Sequence, residues 1–149
     1  MSEKNGSHER RIVVGVDGSP SSVDALRWAV GQARLEDAVV EALNVWQPPV
    51  TNGWSVPITA YEDLPGIART ILDDSVAAVR GSGAPVEIRT RVLAGGAASC
   101  LLDAAGGAEL LVVGSRGHGG FAGALLGSVS QHCVQHAPCP VVVVRHRND

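Results

Sequence analysis

The run from Val113 to Ser130, VGSRGHGGFAGALLGSVS, holds six of the chain's 18 glycines and directly follows the apolar segment Glu109-Leu110-Leu111-Val112-Val113. A buried strand that opens into Gly114-Ser115-Arg116-Gly117 and closes at Gly127-Ser128 before a helix-like segment exposes backbone N–H groups in a concave turn. Such a turn holds an anion. Ser128 and Ser130 add hydroxyls at a helix N-terminus, whose partial positive charge favours phosphate. Gly114 and Gly117 are expected to adopt positive φ and approach a ligand closely, and Gly127 to turn the chain sharply into the helix. The alternative is a flexible glycine-rich surface loop, since such loops are common punctuators.

The only lysine is Lys4, in the charged opening segment; the other eleven basic residues are arginines. A phosphate-loop NTPase needs GxxxxGK[ST], a kinase needs a strand lysine and an imine-forming enzyme needs an amine, so all three lose their central residue. A serine-hydrolase elbow fails at Val113, which stands where GxSxG requires its first glycine. After the first strand stands Gly15-Val16-Asp17-Gly18, not GxGxxG, which disfavours a nicotinamide cofactor. His132 and His136 stand four apart, but Cys133 replaces the glutamate of HExxH, so no metal ligand is assigned among them and they read as histidines near a helix C-terminus.

These residues need a scaffold, and the apolar runs supply one. Arg11–Asp17 (RIVVGVD) reads as a strand closed by Gly18-Ser19-Pro20, with Ser19 as helix cap and Pro20 at the first helical position. Val23, Leu26, Val30 and Ala33 then recur at helical spacing. The pattern repeats as strand 38–46, helix 61–80, strand 86–93, helix 97–105, strand 109–114, helix 128–136 and strand 140–145. Alternating units predict an α/β fold, an open five-stranded parallel sheet of order 3-2-1-4-5 with helices on both faces. In that order the first and fourth strands flank the ligand crevice, so Asp17 faces Gly114. The cradle takes phosphates, and the carboxylate accepts from a ribose hydroxyl or reaches a cation. The 47–66 connection, with four prolines, is a surface excursion or a flap over the site.

A chain of 149 residues suits one domain, expected over 11–146, behind a flexible polar leader at 1–10. The net charge of −3 offers no basic surface, so nucleic acid is not an expected partner. No stretch approaches the ~20 apolar residues of a membrane helix, and Cys100, Cys133 and Cys139 form no CxxC pair. The expectation is a cytoplasmic chain with no membrane partner and with free thiols.

The spacing Gly114-x2-Gly117-x9-Gly127-Ser128, with VGVDGSPSS, ALNVW and APCPVVVVR, resembles the nucleotide-binding branch of the universal stress protein family over Arg11 to Arg145. The resemblance implies a Rossmann-like fold and ATP as ligand, with Mg²⁺ on its phosphates. Gly15 and Val16 would lead into Asp17, which contacts the nucleotide. Val45 would read the adenine edge through its backbone. Val113, Gly114, Arg116 and Gly117 would open the phosphate loop, and Gly127, Ser128, Val129 and Ser130 would close it. Arg116 either pairs with a phosphate or points into solvent. The resemblance also implies a homodimer through the final strand, which would cover an apolar edge. The expected function is a nucleotide-dependent switch in the stress response, read by a downstream protein. A slow ATP hydrolase, in which Asp17 or its cation positions a water, and a dimeric stress protein without nucleotide are the alternatives. No catalytic residue is assigned.

Overall fold

Among the described residues the runs of β-branched residues form five parallel strands and the stretches between them form four helices. The computed structural model describes residues 9–48, 63–81, 83–116 and 126–146. The elements are β1 (Arg11–Gly15), α1 (Pro20–Glu36), β2 (Val39–Trp46), α2 (Leu64–Val79), β3 (Ile88–Ala94), α3 (Ala97–Ala104), β4 (Leu110–Gly114), α4 (Ser128–His136) and β5 (Val141–Val144). The sheet order is β3-β2-β1-β4-β5, as expected. β1 pairs with β2 (Gly15 opposite Leu43) and with β4 (Val14 opposite Val112), so the strand order reverses between β1 and β4.

Side chains alternate between two cores, the period-two consequence of the pleat. Ile12, Val14 and Val112 pack with Leu26, Ala29 and Leu72 from α1 and α2. Val13, Leu111 and Val113 pack with Leu101 and Cys133 from α3 and α4. Each central strand is buried on both faces, hence the unbroken IVV and LLVV runs. Ser19 caps α1, its hydroxyl accepting from the Ser22 N–H, with Pro20 in the first turn. Asp37, at φ 57°, closes that helix. The Arg11 guanidinium donates to the Ala104 carbonyl at 3.2 Å and the Gly106 carbonyl at 2.7 Å, closing α3 against β1, and pairs with Glu41 at 3.3 Å.

Three boundaries differ from expectation by two residues or more, the first being β1, which ends at Gly15 instead of Asp17. β3 begins at Ile88 instead of 86, and the chain reaches it through Pro85 and Val86 after a bend at Gly83, which is at φ 119°. α2 begins at Leu64 with Pro65 in its first turn, where a missing N–H costs little. Residues 1–8 of the expected leader and most of the 47–66 connection lie outside the described residues. Among the described residues no helix is long and apolar enough to cross a membrane.

Candidate functional site

At the end of β1 the Val16 N–H donates to the Leu43 carbonyl at 2.8 Å, the last link between β1 and β2. The chain then turns through Asp17 and Gly18, the latter at φ 85°. Asp17 Oδ1 accepts from the Ser19 N–H at 2.9 Å and the Ser19 hydroxyl at 2.5 Å, a side-chain turn that fixes the carboxylate at the start of α1. The Asp17 N–H donates to Ser22 Oγ at 3.2 Å. Leu43 spends its carbonyl toward β1. Main-chain groups of alternate residues in a strand point to the same side, so the N–H and C=O of Val45 face that side too, beyond the end of β1.

The other wall is the end of β4. Gly114 is not at positive φ, which corrects the expectation for it. Its glycine has a packing cause: an added Cβ would lie 2.6 Å from Ser21 Oγ and 2.7 Å from the Ser21 carbonyl carbon. The N-terminus of α1 therefore presses against bare backbone at Gly114. Beyond it, Ser115 is buried and its carbonyl accepts from the Gly127 N–H at 2.7 Å and the Ser130 hydroxyl at 3.3 Å. This pins together the two ends of the glycine-rich run. Gly127 sits at φ −69°, ψ 165° as the cap of α4 and brings no side chain to it, so among the described residues no side chain caps the first-turn N–H groups. Gly117 and 118–125 lie outside the described residues.

A cavity of about 300 Å³ opens between these walls. Gly15, Val16, Asp17, Val45, Val113, Gly114, Arg116, Gly127, Ser128, Val129 and Ser130 all line it, so every described residue of the predicted set meets in one place. Asp17 and the α4 N-terminus supply a carboxylate and a set of N–H donors; Val45, Val113 and Val129 supply an apolar wall. Ser22, Leu43, Asn44, Ala97 and Leu101, outside the predicted set, also line it. Leu43 and Asn44 immediately precede Val45, so ALNVW held that signal. Asn44 is buried and donates from Nδ2 to the Ala68 carbonyl at 3.0 Å, tying β2 to α2. Leu101 had no local signal: it reaches the cavity only because α3 packs over Gly15, where an added Cβ would lie 2.9 Å from Leu101 Cδ1.

His132 and His136 are exposed on α4 with ring centroids 4.6 Å apart, whereas Cys133 on the same helix is buried in the core. Burial pushes the Cys133 thiol up to about 11. The same cause raises Cys139, against a smaller opposing pull from Arg11. Among the described residues no group of three or more histidines, cysteines or acids gathers at a metal-binding distance.

The family model described as universal stress protein family matches residues 9–145. A universal stress protein of Mycolicibacterium smegmatis is 36% identical over 97% of this chain and 49% of its own length. One from Mycobacterium tuberculosis is 31% identical over 94% of this chain and 49% of its own. The chain thus spans about half the length of these curated relatives. Among solved structures, the universal stress protein UspA from Lactobacillus plantarum is 25% identical with a TM-score of 0.67, covering 94% of this chain and 100% of that one. A universal stress protein solved in complex with cAMP is 28% identical with a TM-score of 0.64, covering 94% of this chain and 99% of that one. The family match spans both walls of the cavity, and the chain belongs to the universal stress protein family.

Proposed function

We propose that this chain binds ATP, with Mg²⁺ on its phosphates, at the carboxyl ends of β1 and β4, and serves as a nucleotide-dependent regulatory switch. One observation carries the reading. The fold brings the Asp17 carboxylate, the outward-facing backbone of Val45 and the uncapped N-terminus of α4 to a single cavity at the strand-order reversal. The α4 N–H groups and the Ser128 and Ser130 hydroxyls suit phosphates, Asp17 suits a ribose hydroxyl, and Val45 with Leu43, Leu101 and Val113 suits a base. That a 28% identical family member is solved with cAMP supports an adenine nucleotide.

The donors fit a phosphate-borne cation. Mg²⁺ keeps most of its water and uses one or two carboxylates plus substrate phosphates, and among the described residues Asp17 is the one carboxylate lining the cavity. Mg²⁺ would there neutralise phosphate charge. Asp17 itself acts as a holder: Oδ1 accepts two hydrogen bonds from Ser19, which fixes the carboxylate in place.

The proposed single domain, 11–146, acts in the cytoplasm during the stress response, as a homodimer through β5. β5 is an edge strand among the described residues, with Val141–Val144 all partly exposed, and a second copy of that strand would cover them. The nucleotide shifts a loop or dimer population that a downstream protein reads.

Acid precipitation of the purified protein and chromatography of the supernatant should release an adenine nucleotide. Gly117→Glu should remove binding while leaving the fold, because it places a negative side chain in the phosphate cradle. Intact ATP after long incubation supports the switch; turnover abolished by Asp17→Ala supports the hydrolase. A nucleotide-free supernatant together with no binding on titration would leave the dimeric stress protein without nucleotide.

A further inference from the structure

Arg116 is the last described residue before the glycine-rich loop, and its main chain is gripped from α1. The Ser21 hydroxyl donates to the Arg116 carbonyl at 2.6 Å, while Ser21 Oγ accepts from the Arg116 N–H at 3.3 Å. One side chain engages both main-chain groups of one loop residue. Ser21 is 2% exposed, so water competes little for these bonds. The contact exists because Gly114 has no Cβ to fill the space that Ser21 Oγ occupies.

Ser19 stands between this grip and the carboxylate. Its hydroxyl has one proton and two acceptors in reach, Asp17 Oδ1 at 2.5 Å and the Arg116 carbonyl at 3.3 Å. The nearer acceptor is charged and takes the proton. A ligand hydroxyl or cation that engages the Asp17 carboxylate weakens that acceptor, and the Ser19 proton then turns to Arg116 and tightens the grip.

We infer that Ser21 and Ser19 are positioning residues: Ser21 sets the opening of the phosphate loop from α1, and Ser19 couples that opening to whatever Asp17 holds. The inference rests on the nucleotide reading above for its ligand, but the grip itself is testable without one.

The test uses the full chain and its Ser21→Ala and Ser19→Ala variants, with amide hydrogen exchange at Arg116 and calorimetric titration with ATP–Mg²⁺ and with adenosine. Losing two hydrogen bonds of ordinary net strength corresponds to about five- to tenfold or more. Unliganded Ser21→Ala should exchange the Arg116 amide faster by about that factor. It should bind ATP about five- to tenfold more weakly while adenosine, which has no phosphate, changes by less than about twofold. Adenosine should slow Arg116 exchange in the wild type and not in Ser19→Ala. Equal losses for ATP and adenosine would reduce Ser21 to a general structural role and overturn the inference, as would unchanged Arg116 exchange in unliganded Ser21→Ala. Adenosine protection that survives Ser19→Ala would overturn the coupling. A wild type that binds neither ligand would overturn the nucleotide reading, with exchange in the unliganded variants still judging the grip.

Discussion

Gly114→Ala adds one methyl group at the point where β4 meets α1. The new Cβ would lie 2.6 Å from Ser21 Oγ, 2.7 Å from the Ser21 carbonyl carbon and 2.8 Å from the Ser22 nitrogen. Two of these three are backbone atoms in the first turn of a 17-residue helix, so no rotamer change relieves the contact. Overpacking a close-packed interior costs about 1–3 kcal/mol. Displacing Ser21 from Arg116 adds ~0.5–1.5 kcal/mol per hydrogen bond. With both Ser21–Arg116 bonds lost the variant should lose about 2–6 kcal/mol, a large share of the ~5–15 kcal/mol that holds a typical domain. At ~2–4 °C per kcal/mol for a chain of this size, Tm should fall by at least about 4 °C and by up to roughly 20 °C. Urea unfolding followed by circular dichroism should show a lower midpoint with an unchanged slope. Gly31→Ala is the control: it lies within α1, an added Cβ meets nothing within 4 Å, and the helix should gain ~0.8–1 kcal/mol. A Gly114→Ala protein with the wild-type midpoint would refute the packing argument, and with it the reason for a glycine there.

Gly15→Ala meets a different neighbour, the flexible end of Leu101, 2.9 Å away. Leu101 should swing toward the cavity, so stability should change by less than ~1 kcal/mol while calorimetry shows nucleotide affinity several-fold weaker. Arg11→Leu removes the cap on the Ala104 and Gly106 carbonyls and leaves Glu41 with Arg91 at 3.7 Å; urea unfolding should register a loss of about 1–3 kcal/mol. Cys133 makes stability depend on pH in the alkaline range. Its thiol titrates at about 11 when folded against a reference of 9.0, so the unfolded chain loses its proton first. The contribution is fully present below pH 9 and disappears as pH rises through about 11. At ~1.4 kcal/mol per pH unit it amounts to roughly 2–3 kcal/mol, and the difference between wild type and Cys133→Ala across that window should show it. An identical alkaline decline in both proteins would contradict this.

The parts of the molecule that local chemistry determines are legible in the sequence. The runs IVV and LLVV announce strands because doubly buried parallel strands need unbroken apolar stretches, and PVVVV announces one by its run of β-branched residues behind a proline at the strand's start. Ser19-Pro20 announces the start of α1 because a cap and a missing N–H belong at that point. The candidate site was legible where ligand chemistry and backbone geometry coincide, in Asp17, Gly127 and Ser128. Contacts between elements distant in sequence were not legible. Gly114 looked like a residue needed for positive φ, whereas its role is to admit Ser21, 93 positions earlier in the chain. Leu101 and Ala97 looked like ordinary helix residues until α3 was laid over Gly15. The grip of Ser21 on Arg116 likewise depends on the approach of α1 to β4, which no local periodicity encodes.

Isothermal titration of the purified, nucleotide-stripped chain with ATP–Mg²⁺ tests the central claim most directly. The account predicts saturable binding at one nucleotide per chain, weakened at least tenfold by Asp17→Ala and abolished by Gly117→Glu, with both variants still folded by circular dichroism. No saturable heat with ATP, AMP, cAMP or adenosine would contradict it, as would full affinity in Gly117→Glu.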